Sequence, residues 1–339
     1  MGAWDVDLHE IVIVGAGIAG LTAARTLQDM GFDSVVLEKS KGIGGRCATR
    51  RLGEGIFDHG SQFFTVRDPA FQELVDGWML RGAVKEWARV FPVIGDVTEL
   101  AGHPRYCGVD GMTSMARVMA EGLDIRREHR VKRVSEARAC WQIEVEGGTR
   151  MRAGVLVLTA PVPQSLRLIN DENTWRIGAV LSPLLVIHYS PCFVAMALLD
   201  GPSGLPGPGA ARVEEGPVSW IADNQRKGIS PGAVAVTIHA SRRFSEEHLE
   251  EDPQDIAHIL EEAARPLLKG NIIECRGHKW RYSVPSSILP VGCFEVDGRA
   301  PLFFAGDAFA GNRVEGAALS GLAVARAVAK IVDKGGKKK

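Results

Sequence analysis

Ile11-Val12-Ile13-Val14-Gly15-Ala16-Gly17-Ile18-Ala19-Gly20-Leu21 joins a short apolar run to three glycines in G-x-G-x-x-G spacing and then to a helical continuation, in which Leu21, Ala24 and Leu27 recur on one face. The order strand, glycine turn, helix gives each glycine a physical task. Gly15 makes the tight turn, Gly17 lets the backbone approach a pyrophosphate, and Gly20 lets the helix pack on the strand. The N–H groups at the helix start, around Ile18 and Ala19, add positive potential there. A second strand, Ser34 to Leu37, ends in Glu38, 18 residues after Gly20. This is a βαβ opening for a dinucleotide. An acid at Glu38, followed by Lys39, suits the adenosine ribose hydroxyls and favours a ribose without a 2′-phosphate, so FAD or NAD is preferred over NADP.

The next segment separates those two. Lys41-Gly42-Ile43-Gly44-Gly45-Arg46 places two adjacent glycines and a cation shortly after the ribose acid. More N–H donors and a fixed guanidinium beside the same pyrophosphate are expected of an FAD site. The structural alternative is a glycine turn with a surface arginine.

Further along, the spacing predicts helices from Pro69 to Arg81 and from Gly111 to Glu121. The row Met112, Met115, Met119 of the second is read as core packing. Strands are expected from Ile125 to Leu158, including Trp141 to Val145 and the run Val155 to Leu158. A Gly/Pro-rich surface loop covers 201–217. Strands at Val218 to Ala222 and Ala233 to His239 follow. A helix is signalled by Asp252-Pro253, with Ile256, Ile259, Leu260, Ala263 and Leu267 on its buried face. A last strand, Leu302 to Ala305, leads through Gly306-Asp307 to a helix from Gly316 to Val332. The fold class is therefore α/β: a Rossmann-type FAD-binding domain (1–72, 107–164 and 290–333) interleaved with a smaller α+β substrate domain (73–106 and 165–289), and a basic tail at 334–339.

Composition limits the partners. The 339 residues carry 40 basic and 41 acidic side chains, which nearly cancel, so no global footprint for nucleic acid or an acidic membrane exists. The run Lys337 to Lys339 is read as a polybasic contact or a solvated end, with no function assigned. The six cysteines lack a CxxC pair or metal-ligand spacing, so neither a metal nor a redox disulfide is expected. No apolar run reaches the ~20 residues of a membrane span. Residues 4–10 have no signal-peptide character, and a cytoplasmic protein is expected.

The chain resembles the flavin amine oxidase superfamily, whose pattern of GxGxxG, acid and GGR is reproduced by Gly15 to Gly20, Glu38 and Gly44-Gly45-Arg46. It resembles most the renalase-like branch. Asp58-His59-Gly60-Ser61-Gln62-Phe63-Phe64-Thr65 is similar to that branch's Asp-x-Gly-Ala-Gln-(Phe/Tyr)-Phe-Thr segment, with Ser61 in place of Ala. Trp220 to Asn224 with Lys227, His239-Ala240-Ser241, His278-Lys279-Trp280 and the tail from Gly306-Asp307 through Arg313 to Ala317 also look like family segments. The resemblance implies non-covalent FAD. Asp307 would lie on a ribityl hydroxyl, and the helix start at Val314, Glu315, Gly316 and Ala317 would face the flavin N1 and C2 carbonyl, where reduced flavin carries negative charge. It implies Val131 on the adenine side, and Thr159, Gly60, Ser61 and Gln62 near the cofactor. Lys279, where relatives often carry Arg, and Ala308-Phe309, where an aromatic often comes directly, depart from the pattern.

Only one strand-turn-helix GxGxxG is present. Gly53-Glu54-Gly55 and Gly207-Pro208-Gly209 lack the apolar strand before them, so no second NADPH domain is expected. What remains is a two-electron oxidase or dehydrogenase acting on a small molecule, with O2 or another acceptor. The renalase-like resemblance implies a 2- or 6-dihydro isomer of NAD(P)H as substrate and H2O2 as product. Gln62, His239 and Trp280 are the candidate pocket residues. Each also has a plain structural reading: a loop amide, a core histidine and a core aromatic. Arg242 and Arg243 are candidates for substrate phosphates. An amine oxidase and a non-catalytic FAD-binding protein are the alternatives.

Overall fold

The apolar run at Ile11 is the buried half of a strand, Leu8–Val14, whose Ile11, Val12 and Ile13 are wholly excluded from solvent. Such a run, without alternation, is what a parallel strand covered on both faces requires. It lies inside a sheet of order Phe294–Val296, Leu302–Phe304, Arg150–Leu158, Leu8–Val14, Val35–Leu37 and Asp124–Arg126. Only the Phe294–Val296 edge is antiparallel along that path. Cys140–Val145 and then Val131–Ala137 add antiparallel to the early part of Arg150–Leu158.

The computed structural model describes residues 8–94, 102–169 and 180–336. They fall into two compact units, one within Met1–Gly45, Ala116–His188 and Pro285–Lys339, the other within Arg46–Met115 and Tyr189–Val284. Lys337 to Lys339 and the first seven residues lie outside the described ones. The first unit holds the parallel sheet with the helices Ile18–Asp29 and Val314–Gly336. These two helices pack closely, because a Cβ on Gly321 would stand only 2.5 Å from the Ala19 carbonyl oxygen.

The second unit is built on a five-stranded sheet of order Ala210–Arg212, Val218–Asp223, Val234–Ala240, Tyr189–Leu199 and Ile272–Pro285. Tyr189–Leu199 is apolar on both faces for a clear reason. Phe193, Ala195 and Ala197 pack with Ile256 and Leu260 of the helix Pro253–Ala264, while Val194, Met196 and Leu198 pack with Phe57. Two hairpins, Thr49–Leu52 with Gly55–Asp58 and Val84–Ala88 with Arg105–Gly108, complete the strands described here. The helix Pro69–Leu80 starts at a proline, with the Asp68 carboxylate accepting from Ala70 N at 2.8 Å, and buries Phe71, Val75 and Trp78.

Several boundaries differ from the sequence reading. The helix expected from Gly111 runs Thr113–Ala120, since Gly111 has φ +104°, outside any right-handed helix. Met112, Met115 and Met119 are core residues, at most 4% exposed. Ile259 is 41% exposed, and Ala257 and Ala264 take its expected place in the core; the small side chains let that helix sit close on the sheet. The loop 201–217 contains an edge strand, Ala210–Arg212, whose Ala210 and Ala211 are wholly buried. The last helix begins at Val314 and continues to Gly336. Among the described residues no helix is long and apolar enough to cross a membrane, and no cluster of His, Cys, Asp and Glu could hold a metal.

Candidate active site

In the first unit, Val14, Leu158 and Phe304 end three neighbouring parallel strands in register. The turns that follow them, at Gly15, Thr159 and Gly306, therefore share one edge, the carboxyl edge at which open α/β sheets bind ligands. Gly15 has φ +112° and donates its N–H to the Leu37 carbonyl at 2.8 Å. Thr159 Oγ1 donates beneath the turn, to the carbonyls of Val14 (2.9 Å) and Gly15 (3.1 Å). At Gly20 a Cβ would lie 2.0 Å from the Gly15 oxygen, so only glycine allows the helix to start this close. Gly17 is different: nothing lies within 4 Å of where its Cβ would be. That open space adjoins the first helical turn, with Ile18 and Ala19, whose N–H groups have no partner further back in the helix.

The second glycine turn lies against the first. Gly44 N donates to the Ala16 carbonyl at 2.8 Å, Gly17 and Gly44 form an isolated parallel bridge, and a Cβ on Gly45 would be 3.3 Å from Gly17 Cα. Glu38 ties the two together from below. Its carboxylate accepts from Ala16 N at 2.9 Å and from Ser40 N at 2.8 Å, a structural duty that spacing alone did not reveal. Each carboxylate oxygen keeps a lone pair for a ribose hydroxyl. Lys39 is exposed, and Val131 is 7% exposed at the start of its strand. Gly306 N donates to Ser320 Oγ at 2.9 Å, which fixes Asp307 at the head of the short helix Asp307–Ala310. The 23-residue helix Val314–Gly336 then begins with Val314, Glu315, Gly316 and Ala317. Open room over Gly17, first-turn N–H groups without a partner in their own helix, an acid at the ribose position and a long helix opening near Glu315 fit FAD.

The remaining assigned residues, Arg46, Gly60, Ser61 and Gln62, belong to the second unit, with Trp280 and His239. Asp58 and Lys227 organise this region. Both side chains are wholly buried, with Lys227 Nζ donating to Asp58 Oδ2 at 2.6 Å and to the Gln62 carbonyl at 2.6 Å. Asp58 Oδ1 accepts from Thr49 Oγ1 at 2.7 Å and from Met112 N at 2.8 Å, and Thr237 Oγ1 donates to the Asp58 carbonyl at 3.1 Å. The segment 58–62 is thus held at both ends. Between them, Ser61 N donates to the Arg46 carbonyl at 2.8 Å and Trp280 Nε1 to the His59 carbonyl at 2.9 Å.

A cavity of about 250 Å³ lies in this unit, with Arg46, Gln62, Phe63, Trp220, His239 and Trp280 in its wall. Gln62, His239 and Trp280, chosen from sequence, therefore line one space. Trp220 and Phe63 line it too, and the sequence marks both only as members of family-like segments. Trp220 stands opposite His239 across the antiparallel strands Val218–Asp223 and Val234–Ala240, which puts the two side chains on one face. Among the described residues, the cavity wall holds no carboxylate. Arg46 donates to the Ser283 carbonyl at 2.9 Å and lies 5.9 Å from the Tyr189 ring centre.

Three imidazoles near this wall are held neutral. Burial lowers His239 to about 4, against a hydrogen bond with the His59 backbone that raises it. Burial, then the neighbouring His278, lowers His59 to about 3, and burial and Arg50 lower His278 to about 4. Their rings cluster with Trp280, at centroid distances of 4.8 Å (His59–His278), 5.0 Å (His59–Trp280) and 4.5 Å (His278–Trp280). On unfolding, these rings return to about 6.5, so the unfolded chain takes up protons that the native state refuses between about pH 6.5 and 4. Stability from urea unfolding is expected to be level above pH 7 and to fall as pH drops through 6.5 toward 4. Equal stability at pH 7.5 and pH 5 would contradict this.

Other candidates are placed elsewhere. Arg242 and Arg243 pair one turn on with Glu246 (2.8 Å) and Glu247 (3.6 Å), and Lys279 Nζ donates to the carbonyls of Leu249 and Glu251. Burial pushes the thiols of Cys47, Cys192 and Cys275 up to about 12 and that of Cys293 to about 11, so they stay protonated and unreactive.

Comparison with known proteins bears on the family and the fold. Residues 13–78 match the model of an NAD(P)-binding Rossmann-like domain, and residues 89–329 match that of flavin containing amine oxidoreductase. Renalase from Mus musculus is 22% identical over 349 residues, covering 96% of this chain and all of that one. A flavin-dependent L-tryptophan oxidase from Lentzea aerocolonigenes is 50% identical over 46 residues, 14% of this chain and 10% of the relative. Among solved structures, cyclohexylamine oxidase from Brevibacterium oxydans (TM-score 0.70, 15% identity, 96% of this chain and 99% of that one) and putrescine oxidase bound to putrescine (TM-score 0.70, 15% identity, 97% and 100%) share the fold. With a family match over most of its length and a site shaped for FAD, the chain belongs to the flavin containing amine oxidoreductases, as an FAD-dependent oxidoreductase similar to renalase from end to end.

Proposed function

We propose that this oxidoreductase restores a 2- or 6-dihydro isomer of NAD(P)H to NAD(P)+, with O2 reduced to H2O2. The balance is dihydro-NAD(P) + O2 + H+ → NAD(P)+ + H2O2. The second unit's cavity supports this reading: among the described residues its wall has aromatic rings, one guanidinium, a neutral imidazole and no carboxylate. A protonated amine entering such a space would lose its hydration without gaining a counter-charge, and would meet Arg46. A dihydropyridine ring is flat and uncharged, and suits a wall that contains the aromatic rings of Phe63, Trp220 and Trp280.

Bound FAD supplies the two-electron acceptor for the substrate's hydride. Gly15, Gly17, Gly20, Gly44 and Gly45 would hold its pyrophosphate, Glu38 its ribose, and Asp307 with the helix start at Val314 to Ala317 its flavin end. The chain has little acid–base work to do, because a dihydropyridine carries its hydride in a labile position and no proton need leave first. His239, neutral down to about pH 4, stays an uncharged wall group across the physiological range. Oxygen uptake with the 2- and 6-dihydro isomers, one H2O2 per substrate, and none with putrescine or cyclohexylamine is the expected result. Turnover of an amine at a comparable rate would replace this reading with that of an amine oxidase.

A further inference from the structure

Three polar atoms in residues of the cavity wall have no hydrogen-bond partner among the described residues: Gln62 Oε1, His239 Nε2 and Trp220 Nε1. Gln62 and Trp220 are 6% and 9% exposed, so each leaves a polar group unsatisfied away from bulk water. That arrangement is costly unless a ligand completes it.

The hydrogen-bonding character of each atom follows from its neighbours. Gln62 Nε2 donates to the carbonyls of Asp58 and Gly60, so flipping the amide would set oxygen against oxygen. Oε1 is therefore the acceptor left over. His239 bonds to the His59 backbone in a sense that raises its pKa, as donation to a carbonyl does, and Nε2 is the nitrogen without a partner. With the ring proton on Nδ1, where that contact draws it, Nε2 is a second acceptor. Indole Nε1 can only donate.

We propose that Gln62, His239 and Trp220 form a recognition site for a primary carboxamide, the 3-substituent of the nicotinamide ring. Two acceptors and one donor are the complement of two amide N–H groups and one carbonyl. An ammonium group has three donors and leaves Trp220 unmatched. A carboxylate has no donor and sets its oxygens against both acceptors. The assignment rests on the dihydronicotinamide reading above and adds to it the residues that select the ring's substituent.

The test uses the FAD-loaded protein and calorimetric titration with oxidised NAD+ and its 3-acetylpyridine analogue, which keeps the carbonyl and lacks the N–H donors. Wild type is expected to bind NAD+ about tenfold more tightly than the analogue. Gln62→Leu is expected to remove most of that preference, weakening NAD+ and leaving the analogue unchanged, whereas Trp220→Phe weakens both. His239→Phe serves if Gln62→Leu fails to retain flavin, and is expected to show the same selective loss. Each variant's flavin absorbance and melting temperature are recorded alongside. If wild type oxidises the dihydro isomers but Gln62→Leu and His239→Phe shift both ligands equally, or neither, the carboxamide site is overturned and the substrate reading stands. If wild type oxidises no dihydropyridine and binds neither dinucleotide, both are overturned together.

Discussion

Gly17→Ala is expected to yield a folded protein that has lost most of its flavin. Gly17 has φ −80°, which alanine adopts freely, and beyond the adjoining backbone no atom of the described residues lies within 4 Å of the added Cβ, so these residues give no reason to resist the change. The methyl group would fill the space that the account assigns to the FAD pyrophosphate. A loss of affinity of about tenfold or more is expected, with melting of the flavin-free protein unaltered. Gly20→Ala is the contrasting case: its Cβ would lie 2.0 Å from the Gly15 oxygen, so helix and strand must separate whether or not a cofactor is present. Flavin absorbance of the purified variants, read against circular dichroism of each, distinguishes the two effects. Full flavin content in Gly17→Ala would contradict the placement of the cofactor.

Lys227→Met is expected to cost about 3–5 kcal/mol of folding free energy, the usual penalty for leaving one member of a buried ion pair unpaired. Asp58 would stay wholly buried with Thr49 Oγ1 and Met112 N as donors but without its cation. The Gln62 carbonyl would lose the same partner. Replacing both members, Asp58→Asn with Lys227→Met, removes the stranded charge while keeping an oxygen for Thr49 and Met112, and should recover part of the loss. Urea unfolding of the two variants and the wild type measures this directly. A loss below about 1 kcal/mol in Lys227→Met would show that the pair does not hold the 58–62 segment as described.

The first unit was largely legible in the sequence because its signals are local. A glycine turn between a strand and a helix is contained in ten residues, and Gly15 and Gly20 take the turn and close-packing positions that this spacing implies. The second unit was less so. The 14-residue strand Ile272–Pro285 has no consistently buried face, so it carries no alternation to read. The edge strand Ala210–Arg212 is hidden among glycines and prolines, and its identity depends on pairing with Val218–Asp223. Site residues followed the same division. Trp220 and His239 are neighbours only through antiparallel register, and Asp58 and Lys227 meet across 169 positions, a proximity that no periodicity encodes. Family resemblance supplied Gln62, His239 and Trp280. The structure adds Trp220 to the same wall and shows why Gln62 has a fixed orientation.

Mixing the FAD-loaded protein, without oxygen, with the isomer mixture from borohydride reduction of NAD+ and following the oxidised flavin band at about 450 nm, a property of the cofactor itself, tests whether a dihydronicotinamide reduces this flavin. Rapid bleaching, with recovery when oxygen is admitted, is the predicted result. A band that persists with the 2- and 6-dihydro isomers but bleaches with an amine would contradict the account.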